Sequence, residues 1–291
     1  MDYLDIGETP LLRNPTLLLA FEGWNDASSA ATSAAKFIRD ELGGRKYASI
    51  GPDPFYNFQE TRPEVHLDET GRRVVTWPAN TFYACETPQL SHDIIAFVGV
   101  EPHLKWKAYT QAILSLIGQG KVNMVVTLGA LLADVYHRNA VRISGSSSND
   151  KLAARLHLQP SRYEGPTGIV GVLNDTFQKK HIPAVTVWAN VPHYVNVSPN
   201  PKAALALVRR LSDLLSYRFD VTELEFGANE FDEKIDRALE LNNSVREYVE
   251  ELKSRSKEEE KPEELPSGEE LAREVERYLR EYGKGKGPAE A

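Results

Sequence analysis

Cysteine is nearly absent from this chain. Cys85 is the only one among 291 residues, so neither an intrachain disulfide nor a cysteine metal cluster can form. It closes an apolar run, Thr81 to Cys85, which reads as a strand that buries the thiol as a small hydrophobe. No apolar run approaches the roughly 20 residues that span a bilayer. Met1 to Asp5 lacks the basic-then-apolar order of a signal peptide. The net charge of -8 argues against a general nucleic-acid face and against a polybasic membrane anchor. Catalytic fingerprints are missing as well. There is no Gly-x-Gly-x-x-Gly, no phosphate loop, no His-Glu-x-x-His and no Gly-x-Ser-x-Gly elbow. The histidines, scattered from His66 to His193, keep no metal-ligand spacing. The expectation is a cytoplasmic protein with no cofactor, no metal, and neither nucleic acid nor membrane as partner.

What is present is an alternation of strands and helices as far as residue 218. Leu17 to Phe21 is continuously apolar, as in a parallel strand covered on both faces. Asp93 to Val98, Val122 to Leu128 and Ala184 to Ala189 read the same way. An alanine-rich helix is predicted from Ala27 to Leu42. Trp106, Tyr109, Ile113 and Leu116 mark one face of another. Val74 to Trp77 and Thr81 to Cys85 flank Pro78-Ala79-Asn80 and suggest an antiparallel hairpin or meander appended to the sheet. The fold class that follows is α/β, with a mostly parallel central sheet flanked by helices. Composition changes near Phe219. Phe231 to Lys257 reads as charged helix with an apolar stripe through Phe231, Ile235, Leu239, Val245, Val249 and Leu252. Ser267 and Glu270 form a capping box for a last helix. The predicted organisation is an α/β body over 1–220 and a helical extension over 221–291 that ends in a frayed tail.

In open α/β sheets, ligands collect at the carboxyl ends of the strands. Four apolar strands end in Glu22-Gly23-Trp24-Asn25-Asp26, Gly99-Val100-Glu101-Pro102, Gly129 to Asp134, and Asn190-Val191-Pro192-His193-Tyr194. A fifth polar turn runs from Arg162 to Gly168. In a parallel sheet all of these share one rim. Glu22 and Asp26 are candidates for acid–base work if burial drives their pKa values apart. The alternative is that Asp26 caps a helix and Glu22 binds a backbone N–H. His193 is a candidate general base, or a histidine that holds its loop. Glu164 is the fourth catalytic candidate, or the partner of Arg162 in an ion pair. Gly23, Trp24, Asn25, Glu101, Asp134, Arg162, Gly165 and Gly168 are the ligand-binding candidates. Gly165 and Gly168 either let backbone approach a ligand or serve a tight turn. Trp24 and Trp106 read as core rather than as stacking platforms.

The same turns carry a resemblance. Phe21 to Ala27, Thr127 to Asp134, Arg162 to Ile169, Val191 to Tyr194 and Asn200-Pro201-Lys202-Ala203 together resemble the bacterial branch of the proteasome assembly chaperone 2 family. The match covers about residues 15–218. The resemblance implies an α/β fold similar to the phosphorylase/hydrolase-like group and a tendency to self-associate, a trimer being one option. It implies protein partners and no catalytic residues. Eukaryotic relatives dock on the proteasome α-ring through a C-terminal hydrophobic–tyrosine–aliphatic motif. This chain ends Gly287-Pro288-Ala289-Glu290-Ala291, so docking by that route is not expected. The expected function is a non-enzymatic, homo-oligomeric, chaperone-like interaction protein. The alternative is a small-molecule binder or a hydrolase- or phosphorylase-type enzyme with a carboxylate-rich pocket at the rim.

Overall fold

The computed structural model describes residues 3–148, 153, 154, 158, 163–241 and 243–259. Arg162, the capping box at Ser267 and Glu270, the last expected helix and most of a helix expected over 151–157 lie outside the described residues.

Among the described residues ten strands form: β1 (Leu4–Ile6), β2 (Thr16–Glu22), β3 (Arg45–Ile50), β4 (Glu64–Leu67), β5 (Arg73–Thr76), β6 (Asn80–Cys85), β7 (Ile94–Val100), β8 (Met124–Ala133), β9 (Ile143–Ser147) and β10 (Ala184–Pro192). β2 sends Leu18 and Ala20 to one face and Leu17, Leu19 and Phe21 to the other, and all five are buried. That is why its apolar run is unbroken. β7, β2, β8 and β10 are mutually parallel and make the centre of an eight-stranded sheet of order β1-β3-β6-β7-β2-β8-β10-β9. The outer strands add on antiparallel. Burial pushes the Cys85 thiol on β6 up to about 11.

Among the described residues four helices cover the sheet: α1 (Ala30–Glu41), α2 (Trp106–Gln119), α3 (Ile169–Lys179) and α4 (Pro201–Leu215). α1 presents Ala30, Ala31, Ala34, Ala35 and Ile38, a face of small side chains that lets it pack closely on the strands. α4 joins it on that face with Leu207, Val208, Leu211 and Leu215. α2 and α3 cover the other face with Tyr109, Ile113, Ile169, Leu173 and Phe177. The body is thus a three-layer α/β/α arrangement.

Three local expectations change. Val74 to Trp77 does not pair with Thr81 to Cys85. β5 instead pairs with β4 in a separate two-stranded ribbon, Val65 facing Val75, while β6 enters the main sheet. Asp68 closes the ribbon turn by accepting from the N–H groups of Thr70 and Arg72. Residues 4–6, which carry no strand signal in the sequence, pair with β3. The charged helix expected over 231–257 is two helices, α5 (Thr222–Glu240) and α6 (Asn243–Glu259). Their apolar stripe is covered by the chain itself: Phe231 and Ile235 pack on Val195, and Val249 and Leu252 are buried. No described helix is long and apolar enough to cross a membrane.

Candidate functional site

The four parallel strands point the same way, so the described parts of the polar turns lie towards one rim. β8 and β10 nevertheless run past the ends of β2 and β7, and Gly129 to Ala133, expected in a turn, are the last residues of β8. The loop after β3 opens there as well, because β3 reaches β7 through two antiparallel pairings and so runs with it. At the middle of the rim Asn25 Nδ2 donates to Glu101 Oε1 at 2.8 Å. The Ile169 N–H donates to the same oxygen at 2.7 Å. Glu101 therefore places a carboxylate at the N-terminus of α3, where free N–H groups and the helix dipole favour negative charge. Gly168 permits this approach. A Cβ there would lie 2.5 Å from the Asn25 amide and 2.6 Å from Glu101 Oε1. Gly23, at φ +122°, bends the chain past Glu101. The Glu101 N–H donates to the Glu22 carbonyl at 2.8 Å, and the Ala130 N–H to the Asn25 carbonyl at 2.9 Å. One bonded group thus ties β2, β7, β8 and α3 together.

The catalytic candidates are engaged separately. Asp26 is buried and caps α1. Its Oδ1 accepts from the Ala31 N–H at 2.6 Å, and its Oδ2 from the Thr32 N–H and Oγ1 at 3.2 and 2.5 Å. Burial raises its carboxyl above the ordinary value, and these hydrogen bonds oppose the rise without cancelling it. Glu22 meets Lys36 at 2.8 Å, both side chains being 45% exposed. Glu164 and Gly165 lie in an exposed turn. His193 has the partner that no local spacing revealed: its Nδ1 is 3.0 Å from Asp134 Oδ1. Tyr248 of α6 donates to that same oxygen at 3.3 Å, and its ring lies 5.2 Å from the His193 ring.

Sequence reasoning missed a second polar cluster beside this pair. His137 is buried, and its backbone N–H donates to Tyr194 Oη at 2.9 Å. Its Nδ1 lies 2.7 Å from the same Tyr194 oxygen and its Nε2 2.8 Å from Asp236 Oδ1. The bonding pattern assigns a neutral ring with the proton on Nε2: Tyr194 donates to Nδ1 and Nε2 donates to Asp236. Burial lowers the His137 pKa, opposed by Asp236. Arg138 also pairs with Asp236, and Lys202 bridges the His137 carbonyl to Asp232. These partners stand up to 99 positions apart, beyond any spacing rule.

Neither of the two best-formed cavities lies where the carboxylates gather. The larger cavity found, about 370 Å³, opens at the other end of the strands between Thr16, His92, Asn123 and Leu214. A cavity of about 20 Å³ beside Asn190, Lys202 and Asp232 is water-sized. Among the described residues no group of three His, Cys, Asp or Glu side chains is placed to hold a metal. What the rim does present is apolar. Trp24, expected in the core, is 66% exposed, Leu131 and Leu132 are exposed on the last residues of β8, and Leu104 and Tyr163 are exposed on neighbouring loops. Trp106 is half-buried and donates its ring N–H to the Pro102 carbonyl.

The order of these turns along the chain agrees with a known sequence family. The model of the PAC2 family matches residues 20–239. The chain belongs to the PAC2 family. A solved PAC2 family protein from Streptomyces avermitilis is 39% identical, with a TM-score of 0.74 over 81% of this chain and 99% of that one. A Mycobacterium tuberculosis proteasome-assembly chaperone homologue is 36% identical, with a TM-score of 0.73 over 81% and 99%. The archaeal proteasome activator PbaB of Pyrococcus furiosus shares the fold at 17% identity, with a TM-score of 0.66 over 81% and 97%. No functionally curated protein matches. The α/β expectation and the family resemblance both hold for this PAC2 protein.

Proposed function

We propose that this PAC2 protein is a non-enzymatic, chaperone-like protein that works as a homo-oligomer and docks protein partners on its carboxyl rim. One observation carries the reading: at the strand ends Asp26 and Glu101 are spent on structural hydrogen bonds, while Trp24, Leu131 and Leu132 are left facing solvent. Contiguous exposed apolar side chains rimmed by polar ones mark protein-binding faces. The proteasome-linked relatives make proteasome subunits the first partners to try. The alternative reading, a hydrolase- or phosphorylase-type enzyme, needs Glu22 and Asp26 free to exchange protons. One is paired with Lys36 and the other holds α1. His193 and Asp134 form half of a proton relay, but among the described residues no hydroxyl or thiol bonds to the histidine.

The test is native electrophoresis of purified proteasome α-type subunits with the full chain. Comigration or faster ring formation is expected with the natural protein and not with Trp24→Glu/Leu132→Glu. Steady turnover of small ester, amide or phosphate substrates, lost in Glu22→Gln, would favour the enzyme instead.

A further inference from the structure

The β4–β5 ribbon is an anomaly in this fold. Among the described residues it is a two-stranded sheet with no third strand, and all eight of its residues are exposed. Two strands alone are at best marginally stable in water. Its faces also differ. Cross-strand neighbours share a face, so Val65 with Val75 and Leu67 with Arg73 make one side. Trp77, two residues beyond Val75, stands edge-on to Phe58 at 4.9 Å. The other side carries Glu64 with Thr76 and His66 with Val74, and His66 Nδ1 lies 3.2 Å from Thr76 Oγ1. The ribbon is therefore amphipathic, and among the described residues Phe58, against Trp77, is the one ring that packs on its apolar side. Val65, Leu67, Val75 and Trp77 remain exposed.

The charges indicate what would cover it. Arg73 is the one charged residue on the apolar side. Among the described residues the rim carries Glu22, Glu101, Asp134 and Glu164 against Lys36 and Lys105, with Glu22 paired to Lys36 and Asp134 to His193. Apolar surface with a cation on the ribbon thus matches apolar surface with excess carboxylate on the rim. The ribbon leaves the body at the rim, between the end of β3 and the start of β6, yet its apolar side does not lie on its own rim. A second copy can offer what the first cannot.

We propose that the β4–β5 ribbon of one copy seats its Val65–Leu67–Val75–Trp77 side on the carboxyl rim of a second copy, around Trp24 and Leu132. This deepens the proposed function, on which it rests, by placing the self-association on two different surfaces. Such a contact is heterologous, so repeating it closes a ring where the rotation between copies allows and otherwise extends as an open chain. It also makes the rim shared ground between self-association and partner binding.

Sedimentation velocity on the full chain tests this with two variants at exposed positions, each checked for native circular dichroism. Leu67→Glu/Val75→Glu spoils the ribbon and Trp24→Glu/Leu132→Glu spoils the rim. The natural protein is expected to sediment as a multimer and each variant alone as a single chain. An equimolar mixture of the two variants retains one intact ribbon–rim contact and is expected to give a two-chain species. A monomeric natural protein would overturn the proposal. So would a variant that still assembles, since ribbon–ribbon or rim–rim contact would then be responsible, or a mixture that stays monomeric. None of these outcomes bears on whether the rim binds proteasome subunits, which the electrophoresis reads separately.

Discussion

Asn25 and Glu101, 76 positions apart, are joined by a hydrogen bond of 2.8 Å that locks the end of β2 to the end of β7. Glu101 uses the same oxygen to cap α3 through Ile169. These bonds set the rim's shape, and Trp24 projects from the loop they hold.

Removing this carboxylate should be costly. Glu101→Ala leaves the buried Asn25 amide and the Ile169 N–H without their acceptor, a loss of about 2–4 kcal/mol. Glu101→Gln keeps an oxygen acceptor and should lose less than half of that. Urea midpoints read both. Equal stability in all three proteins would mean that the bond is incidental.

Gly168→Ala tests the same group by volume. The backbone there is extended, at φ -93° and ψ -175°, so conformation does not require glycine. The new methyl would collide with Asn25 and Glu101. The expected loss is about 1–3 kcal/mol, seen as a lower thermal midpoint. A neutral substitution would show that the group has slack.

Much of this was readable in the sequence. The unbroken apolar runs of β2, β7, β8 and β10 announced strands covered on both faces, and the rule for strand ends anticipated that Asn25, Glu101 and Gly168 lie together. Asp26 as a cap followed from its place before an alanine-rich helix. Other features had no local signal. Glu101 caps a helix that begins 68 positions later. His137, Tyr194 and Asp236 meet only once α5 docks on the body. Trp24 was assigned to the core by its residue type, but Gly23 and the bonds of Asn25 turn its ring outward. The ribbon was missed because Glu64 to Leu67 is a strand of four residues with no core to mark its apolar face.

Asp93 gives the fold an acid limit. It is buried and accepts from the Arg13 N–H, the Arg13 guanidinium and the Thr87 N–H at 2.7, 2.7 and 2.9 Å. Burial alone would raise its carboxyl, but these bonds outweigh burial and hold it at about 2, below the ordinary 3.8. The unfolded chain thus takes up this proton first. The stabilisation, roughly 2 kcal/mol, is present above 3.8 and lost as pH falls through about 2. Asp93→Asn should flatten the fall of urea midpoints across that window. An unchanged slope would assign the acid sensitivity elsewhere.

His137 makes the seating of α5 pH-dependent in the same direction. Its pKa in the docked state lies below 6.5 because burial disfavours the charged ring. Asp236, Asp232, Lys202, Arg138, Tyr136 and Tyr194 are the polar groups around it. A detached α5 frees the ring to protonate nearer 6.5, so docking should weaken as pH drops below that value. Hydrogen exchange in α5, corrected for intrinsic rates between about pH 7.5 and 5.5, should accelerate in the natural protein and much less in His137→Gln. Equal acceleration in both would remove His137 from the latch.

The most direct measurement is the affinity of the full chain for purified proteasome α-type subunits, compared between the natural protein, Trp24→Glu/Leu132→Glu and Glu22→Gln. A docking rim requires the first variant to bind at least about tenfold more weakly, a loss of ~1.4 kcal/mol or more, with Glu22→Gln close to the natural protein. Undiminished binding by the Trp24→Glu/Leu132→Glu protein, or no binding by the natural chain, would contradict the rim as a protein-docking face.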